Sequence, residues 1–276
     1  MINISPLTIA SLLALGIVAG FLAGLLGIGG GMLMVPFLVM ILATEGIPDT
    51  YLVKIAIATS LATILFTSMS SVRAHWRAGA IRWPVVATLT PGIILGAMVG
   101  ARLAGYIPSK WLELFFAVFV SYSATQMLRG KSPTKADGAP AEQLPSRVSQ
   151  VAMGGVIGAL SSLVGAGGGF LTVPYLTSCG VRIQNAIATS AACGFPIAAS
   201  AAIGYVWAGL GLQIGPATFG YIYLPALVLI SVVSVMTAPL GARTAHRMPV
   251  AQLKRAFACL LYTLAAYMLY RGLAAH

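Results

Sequence analysis

A glycine-rich motif occurs twice in this chain, and each copy interrupts a long apolar stretch. Residues 20–38 read GFLAGLLGIGGGMLMVPFL and residues 158–176 read GALSSLVGAGGGFLTVPYL, with 11 of the 19 positions identical. A break in a helix at membrane depth frees backbone groups that lipid cannot satisfy, so it must be buried in protein or line a wet cavity. A matched pair of breaks in corresponding halves is typical of a transporter whose substrate site lies between two repeats.

The composition predicts an integral membrane protein built from helices. Hydrophobic residues make up 59% of the 276 residues, charged residues make up 8%, and the mean hydropathy is +0.94. A soluble domain carries about 25% charged residues. The apolar runs are continuous and long enough for membrane helices, whereas a membrane β-barrel would show short alternating strands.

The charges favour an anionic or neutral substrate. Excess Lys and Arg in cytoplasmic loops explains the net charge of +11, so we expect no nucleic-acid partner. Carriers of protons or metal cations usually need a carboxylate inside the membrane. All five acidic residues of this chain lie in or near predicted loops: Glu45, Asp49, Glu113, Asp137 and Glu142.

The sequence predicts neither an enzyme nor a cofactor-binding protein. The three cysteines include no C-x-x-C pair, which argues against a disulfide framework and against a zinc site. No Ser-His-Asp arrangement, carboxylate pair or cluster of metal ligands stands out. We therefore expect no catalytic residue, no metal and no cofactor.

Ten apolar segments, five in each half, predict an all-α polytopic membrane protein with about eight to ten membrane segments. The second segment of each half is short for a crossing and is either a half-helix or one arm of a re-entrant hairpin. Residues 129–147 are predicted to form a flexible cytoplasmic linker between a first repeat at 1–128 and a second at 148–276. The predicted segments are 7–26, 29–44, 53–74, 84–105, 111–129, 148–165, 167–180, 184–206, 217–241 and 251–271.

The two halves match beyond the glycine motif. The pentapeptide AIATS occurs at 56–60 and again at 186–190, and the tripeptide G-A-R occurs at 100–102 and again at 241–243. The offset is 138 residues at the glycine motif, 130 at AIATS and 141 at G-A-R, so small loop insertions account for the drift. The chain is therefore predicted to contain a duplicated unit.

Loop charges favour an inverted orientation of the two repeats. The loop at 73–82 carries three arginines, whereas its counterpart at 203–216 carries no Lys or Arg. With an odd number of crossings in each half, the basic loops at 73–82 and 243–255 share one side with the central linker. The positive-inside rule then places these loops in the cytoplasm and both termini outside.

The glycines of the two breaks are the first candidate substrate-binding residues. A helix that restarts after a break points unpaired N–H groups and the positive end of its dipole at the cavity, where a small oxyanion could bind. Close helix packing is the alternative role, although packing does not require three consecutive glycines. The candidates are Gly27, Gly29, Gly30, Gly31, Gly165, Gly167, Gly168 and Gly169.

Hydroxyl and amide side chains near the AIATS pentapeptides are the second set of candidates. Thr59, Ser60, Thr189 and Ser190 could donate to an anion or to a carbonyl at a helix end. Asn185 precedes the second copy and could donate through its amide. The alternative is that the hydroxyls bond to their own helix backbone, as is common in membrane helices.

Two arginines at corresponding positions form the third set. Arg102 and Arg243 could attract a sulfonate or carboxylate through their guanidinium groups. Both lie near the end of the fourth segment of their half, so snorkelling to the membrane interface is the simpler role.

The two glycine motifs, the two A-T-S segments and the two G-A-R segments resemble the TauE/SafE family, over nearly all the chain apart from the linker. The resemblance implies secondary transport of small sulfur-containing anions, such as sulfite or short organosulfonates, across the bacterial cytoplasmic membrane. It also implies that the glycine breaks line a central site, with the threonine–serine pairs nearby.

Alternating access about a near-central site is the mechanism that this reading predicts. The inside-negative potential would assist export of an anion by about 2.3 kcal/mol per charge per 100 mV. An anion channel, a membrane-embedded enzyme and an accessory membrane subunit of a larger complex are the alternatives.

Overall fold

The computed structural model describes residues 5–26, 30–129, 143–212, 214–215, 217–244 and 250–274. Ten α-helices account for nearly all of these residues, which confirms the predicted all-α class. The helices are α1 Pro6–Leu26, α2 Gly31–Ala43, α3 Asp49–Arg77, α4 Trp83–Tyr106, α5 Ser109–Arg129, α6 Arg147–Val164, α7 Gly169–Ser178, α8 Ile183–Gly209, α9 Leu224–Thr244 and α10 Val250–Ala274.

A small hairpin precedes α9. Its strands, β1 Thr218–Phe219 and β2 Ile222–Tyr223, pair in antiparallel register. The sequence places an apolar segment at 217–241, so this part of the prediction is wrong and the ninth helix begins later. Positive φ angles of 66° at Ala217 and 58° at Gly220 turn the backbone out of the helical region before Leu224.

Eight helices of the described residues are long and apolar enough to cross a membrane. The other two, α2 with 13 residues and α7 with 10 residues, are about 20 Å and 15 Å long, short of a hydrocarbon core of about 30 Å. α3 and α8 are the most buried of the eight and lie at the centre of the bundle.

Each short helix returns to the face at which the preceding long helix begins. Thr8 Oγ1, in the first turn of α1, donates to Glu45 Oε1, just after α2, at 2.5 Å. In the second half, Gln143 before α6 donates from its backbone N–H to the Cys179 carbonyl after α7 at 3.1 Å. α2 and α7 therefore run outward from the interior, and neither crosses the bundle alone.

The helix ends define two faces of the bundle. We call the end at which α1, α3 and α5 begin the first face, and the opposite end the second face. Lys54 Nζ near the start of α3 donates to the Gly105 carbonyl at the end of α4 at 2.8 Å. Ser109 Oγ at the start of α5 donates to the Thr50 carbonyl at 2.5 Å. α4 therefore ends at the first face, and α5 begins there.

Glycines allow two pairs of helices to pack closely and in parallel. Gly92 of α4 lies against Val151 of α6, and Gly100 lies about two turns further along against Ala159. A Cβ at Gly92 would overlap the Val151 carbonyl oxygen, so only glycine permits this approach. α6 therefore begins at the second face, as α4 does.

The first and ninth helices form the corresponding pair. Gly16 of α1 lies against Ile230 of α9, and Gly20 lies one turn further along against Ser234. α1 and α9 therefore run in parallel from the first face. In the predicted repeat, α1 and α6 are the first helices of their halves, and α4 and α9 are the fourth. In both pairs, therefore, the first helix of one half packs against the fourth helix of the other half.

The corresponding helices at the centre run in opposite directions. Asn185 near the start of α8 donates to the Ala80 carbonyl just after α3 at 2.9 Å, and Gly194 lies near Ser68. The fifth helices of the two halves, α5 and α10, also run in opposite directions. Arg271 near the end of α10 pairs with Glu113 near the start of α5 at 3.1 Å.

Candidate functional site

Glycines in the left-handed conformation form both helix breaks. Gly30 with φ of 67° and Gly168 with φ of 77° stand at corresponding positions as N-caps of α2 and α7. Gly165, with φ of 73°, caps the end of α6. Other residues are strained in this region, so the sequence requires glycine at these three positions. The candidates Gly27 and Gly29 lie outside the described residues.

The two breaks pack against each other. A Cβ at Gly31 would overlap the Gly165 carbonyl oxygen and would lie 2.9 Å from Ala166 Cα. Ser60, fully buried in α3, donates to the same Gly165 carbonyl at 2.9 Å. The structure therefore brings Gly31, Gly165 and Ser60 together, and Ser60 bonds to a carbonyl at a helix end.

The N-termini of both short helices face the interior. The first helical bonds run from Leu33 and from Leu171 to the carbonyls of Gly30 and Gly168. The N–H groups of the residues before Leu33 and Leu171 have no acceptor within their helix. They point along the helix axis toward the break. The positive ends of two helix dipoles therefore lie at the middle of the bundle.

A small cavity of about 10 Å³ lies beside the second break, with room for about one water. It is lined by Gly167, by Ile64, Ser68 and Ser71 of α3, and by Ala191 and Gly194 of α8. Ser71 is 3% exposed, and its Oγ has no hydrogen-bond partner among the described residues. An oxyanion does not fit in this cavity unless its walls move.

A stripe of buried polar side chains connects the cavity with the second face. Five polar residues of α3 are buried, and their spacing of three or four residues places them on one side of the helix. They are Thr63, Thr67, Ser68, Ser71 and His75. At the offset of 130, the second half has Cys193, Ile197, Ala198, Ala201 and Tyr205 instead. The polar stripe therefore belongs to one half only.

The sequence reading missed this stripe and its unpaired hydroxyl at Ser71. The signal was the recurrence of Ser and Thr every three or four residues after AIATS, which continues toward His75.

The two AIATS threonines each accept a hydrogen bond from a backbone amide in the other half. Thr59 Oγ1 accepts from Tyr223 N–H at 3.0 Å, and Thr189 Oγ1 accepts from Arg82 N–H at 3.0 Å. Tyr223 and Arg82 immediately precede the corresponding helices α9 and α4. These hydroxyls therefore bind connecting segments at opposite faces. Asn185, through its bond to Ala80, strengthens the contact at the second face.

The remaining candidates are divided between the interior and the surface. Gly169 and Ser190 are buried, at the start of α7 and in α8. Arg102 is exposed near the first face, where its guanidinium carbon lies 4.8 Å from the Trp207 ring centroid. Arg243 is exposed in the last turn of α9 at the second face. The structure therefore places neither arginine beside the glycine breaks.

One carboxylate near a loop is buried. Glu113 lies in the second turn of α5, close to the loop before that helix, and is 1% exposed. Arg271 lies between Glu113 and Asp49 and pairs with both. This network joins α3, α5 and α10 at the first face. Within the described ranges, no three His, Cys, Asp or Glu side chains could hold a metal ion.

These features define a multi-pass helical membrane protein in which two interrupted helix pairs meet at the centre of the bundle, an arrangement typical of transporters. The sequence model of the sulfite exporter TauE/SafE family matches residues 12–268. The chain therefore belongs to the TauE/SafE family.

Relatives of similar length support the same class. A probable membrane transporter protein of Haemophilus influenzae is 38% identical over 257 residues, which cover 93% of this chain and 96% of the relative. A probable membrane transporter protein of Methanocaldococcus jannaschii is 27% identical over 261 residues, or 94% of each chain. No solved structure matches the chain significantly. Family and relatives together identify a membrane transporter.

Proposed function

We propose that this protein transports small sulfur-containing anions, such as sulfite or short organosulfonates, across the bacterial cytoplasmic membrane by alternating access. The observation that carries the proposal is the contact between the two glycine breaks, at Gly31 and Gly165, beside the inward ends of α2 and α7. Helix N-termini and backbone N–H groups bind anions without a fixed charge. The family description, which names sulfite exporters, supports the substrate class.

The proposed site consists of neutral donors. We assign the first N–H groups of α2 and α7 and the unpaired hydroxyl of Ser71 as ligands, with Gly27 to Gly31 and Gly165 to Gly169 forming its walls. The other candidates, Ser60, Ser190 and the two threonines, support these walls. Sulfite is partly doubly charged near neutral pH, and neutral donors bind it while allowing it to leave.

We propose that the two halves form an inverted repeat. The opposite directions of α3 and α8, and of α5 and α10, support this arrangement, because corresponding helices of an inverted repeat are antiparallel where they meet. The described part of the chain also begins and ends at the same face, at Ser5 and Ala274.

The second face is proposed to be cytoplasmic. Six cations with described side chains lie there, against four at the first face: Arg73, Arg77, Arg82, Arg147, Arg182 and Arg243 against Lys54, Arg102, Lys110 and Arg271. The described acids Glu45, Asp49 and Glu113 all lie at the first face. This asymmetry supports a cytoplasmic second face and an outside location for both ends of the chain.

The two threonine contacts provide one closing contact at each face. We call the bond between Thr59 and Tyr223 the first-face contact and the bond between Thr189 and Arg82 the second-face contact. Both are formed in this structure. In the proposed cycle, one contact breaks while the other is kept, so the central site opens to one face at a time.

Transport by the purified protein is the direct test. Proteoliposomes loaded with radiolabelled sulfite should release it at a rate that saturates at modest turnover, and an inside-negative potential should increase efflux. A rate that rises without saturation would instead indicate a channel. Retention of sulfite and of methanesulfonate under every condition would contradict the proposal and favour an accessory subunit.

A further inference from the structure

Lys54 is a buried cation without a carboxylate partner. It lies in the second turn of α3 and is 6% exposed. Its Nζ donates to the Gly105 carbonyl at 2.8 Å and lies 5.9 Å from the Tyr221 ring centroid. Among the described residues no carboxylate pairs with it. The acids of the first face are engaged elsewhere, Glu45 with Thr8 and both Asp49 and Glu113 with Arg271.

Such a cation is costly to bury, and an ionisable side chain inside a membrane protein indicates a function. An ammonium group has three donors, and the Gly105 carbonyl uses one of them. Two donors therefore remain for a ligand. A purely structural link between α3 and α4 does not require a charge, and the corresponding position of the second half carries the neutral Gln184.

A tyrosine of the hairpin covers the ammonium group. Tyr221, between β1 and β2, is 2% exposed. Its ring packs between those of Tyr51 and Tyr205, with ring centroids 6.2 Å apart in both pairs. The Lys54 ammonium group therefore lies between the Tyr221 ring and the end of α4.

The same hairpin forms the first-face contact. Tyr223, two residues after Tyr221, donates its backbone N–H to Thr59. Gly220 lies against the Val206 backbone, where a Cβ would approach Val206 Cα to 2.6 Å. Movement of the hairpin that breaks the bond to Thr59 would therefore also remove Tyr221 from Lys54.

We propose that Lys54 is an anion-binding residue of the first face, which the hairpin covers in the closed state and exposes when that face opens. The ligand is a small oxyanion such as a sulfonate, which accepts hydrogen bonds from the two remaining ammonium donors. The identity of this ligand rests on the proposed function. The binding site at Lys54 is separate from the glycine breaks, because Lys54 precedes Ser60 by more than one turn of α3.

Acetylation of Lys54 by a small N-hydroxysuccinimide ester measures this exposure in the purified full-length protein. Peptide mass spectrometry gives the ratio of Lys54 to Lys110 acetylation, and this ratio corrects for reagent loss. Thr59→Val removes the acceptor of the first-face contact and should raise the ratio at least about fivefold, because a buried N–H loses its acceptor. Tyr221→Ala removes the cover directly and should raise it as well. Thr88→Val is the control, because Thr88 bonds only to its own helix at Pro84.

Methanesulfonate is the probe for binding, since it does not react with the ester. It should lower Lys54 acetylation in Thr59→Val with a saturable concentration dependence, while Lys110 acetylation stays constant. In the Thr59→Val background, Lys54→Gln should reduce thermal stabilisation by methanesulfonate to the part that the central site supplies, whereas Lys54→Arg should retain more of it. The proposal is overturned if neither variant exposes Lys54, or if methanesulfonate does not protect the exposed lysine.

The outcomes separate this proposal from the proposed function. Protection of Lys54 without flux in proteoliposomes would support the anion site and contradict transport. Saturable flux with Lys54→Gln at the wild-type half-saturation concentration, together with no protection, would support transport and contradict the role of Lys54.

Discussion

Thr59 Oγ1 accepts a 3.0 Å hydrogen bond from the backbone N–H of Tyr223, a residue 164 positions away in the sequence. The counterpart of Thr59 in the second half, Thr189, accepts an equal bond from Arg82. The duplicated AIATS pentapeptide therefore connects each half to the segment that precedes the fourth helix of the other half. A contact that occurs once at each face is well suited to alternate opening.

Breaking one threonine contact should bias the protein toward the corresponding face. Thr59→Val leaves a buried N–H without an acceptor and should destabilise closure of the first face by about 1–3 kcal/mol, whereas Thr189→Val should do so at the second face. Cys193, buried in α8 next to the cavity residue Gly194, is a native reporter.

In a Cys179→Ser, Cys259→Ser background, an impermeant maleimide should modify Cys193 from opposite sides of the membrane in the two variants. Right-side-out and inverted vesicles give this comparison, and Thr88→Val is again the control. Equal modification from both sides in both variants would contradict the assignment of one contact to each face.

The contact between the glycine breaks should be sensitive to a single methyl group. Gly31→Ala places a Cβ on the Gly165 carbonyl oxygen and separates the two breaks, so sulfite flux should fall more than about tenfold, as for other misplaced site groups. Gly215→Ala is the matched control, because a Cβ there meets nothing within 4 Å. Flux at the wild-type rate in a correctly inserted Gly31→Ala protein would exclude the breaks as the site.

The unpaired hydroxyl of Ser71 should affect ligand binding but not folding. Ser71→Ala removes a buried hydroxyl that has no hydrogen-bond partner in the described part of the chain, so the unfolding temperature should stay the same or rise. The half-saturation concentration for sulfite should rise about fivefold, the effect of one lost hydrogen bond. Ser70→Ala, which removes an exposed hydroxyl bonded to the Val235 carbonyl, should leave this concentration unchanged. A lower unfolding temperature with unaltered half-saturation would contradict the role of Ser71.

Local patterns in the sequence predict the helices well, because apolar run length is a direct consequence of burial in lipid. The segment predicted at 53–74 is α3 at Asp49–Arg77, and the short segments predicted at 29–44 and 167–180 are α2 and α7. The glycine caps were predictable too, since only glycine accepts the left-handed conformation at low cost.

Contacts between distant segments were not predictable from one sequence. Nothing local to Thr59 indicates that its partner is Tyr223, and the strands before α9 are too short to interrupt the apolar pattern at 217–241. In the sequence, Lys54 lies at the start of a predicted apolar segment, where an exposed lysine is expected. Only the packing of α4 and the hairpin shows that it is buried. The role of Ser71 depends on its neighbours in space rather than on its own type.

The ion network at the first face should be sensitive to loss of Arg271 and tolerant of loss of Asp49. Arg271→Met removes the cation that pairs with Glu113, whose side chain is 2% exposed, and should cost about 3–5 kcal/mol in the free energy of unfolding. Asp49 is 65% exposed, so Asp49→Asn should cost less than about 1 kcal/mol.

The double variant Glu113→Leu, Arg271→Met should recover most of the stability that Arg271→Met loses, because it removes both buried charges together. Denaturation of the protein in detergent measures all three variants against wild type. If the double variant is less stable than Arg271→Met alone, the carboxylate of Glu113 has a further partner whose contribution exceeds that of Arg271. The network would then extend beyond α3, α5 and α10.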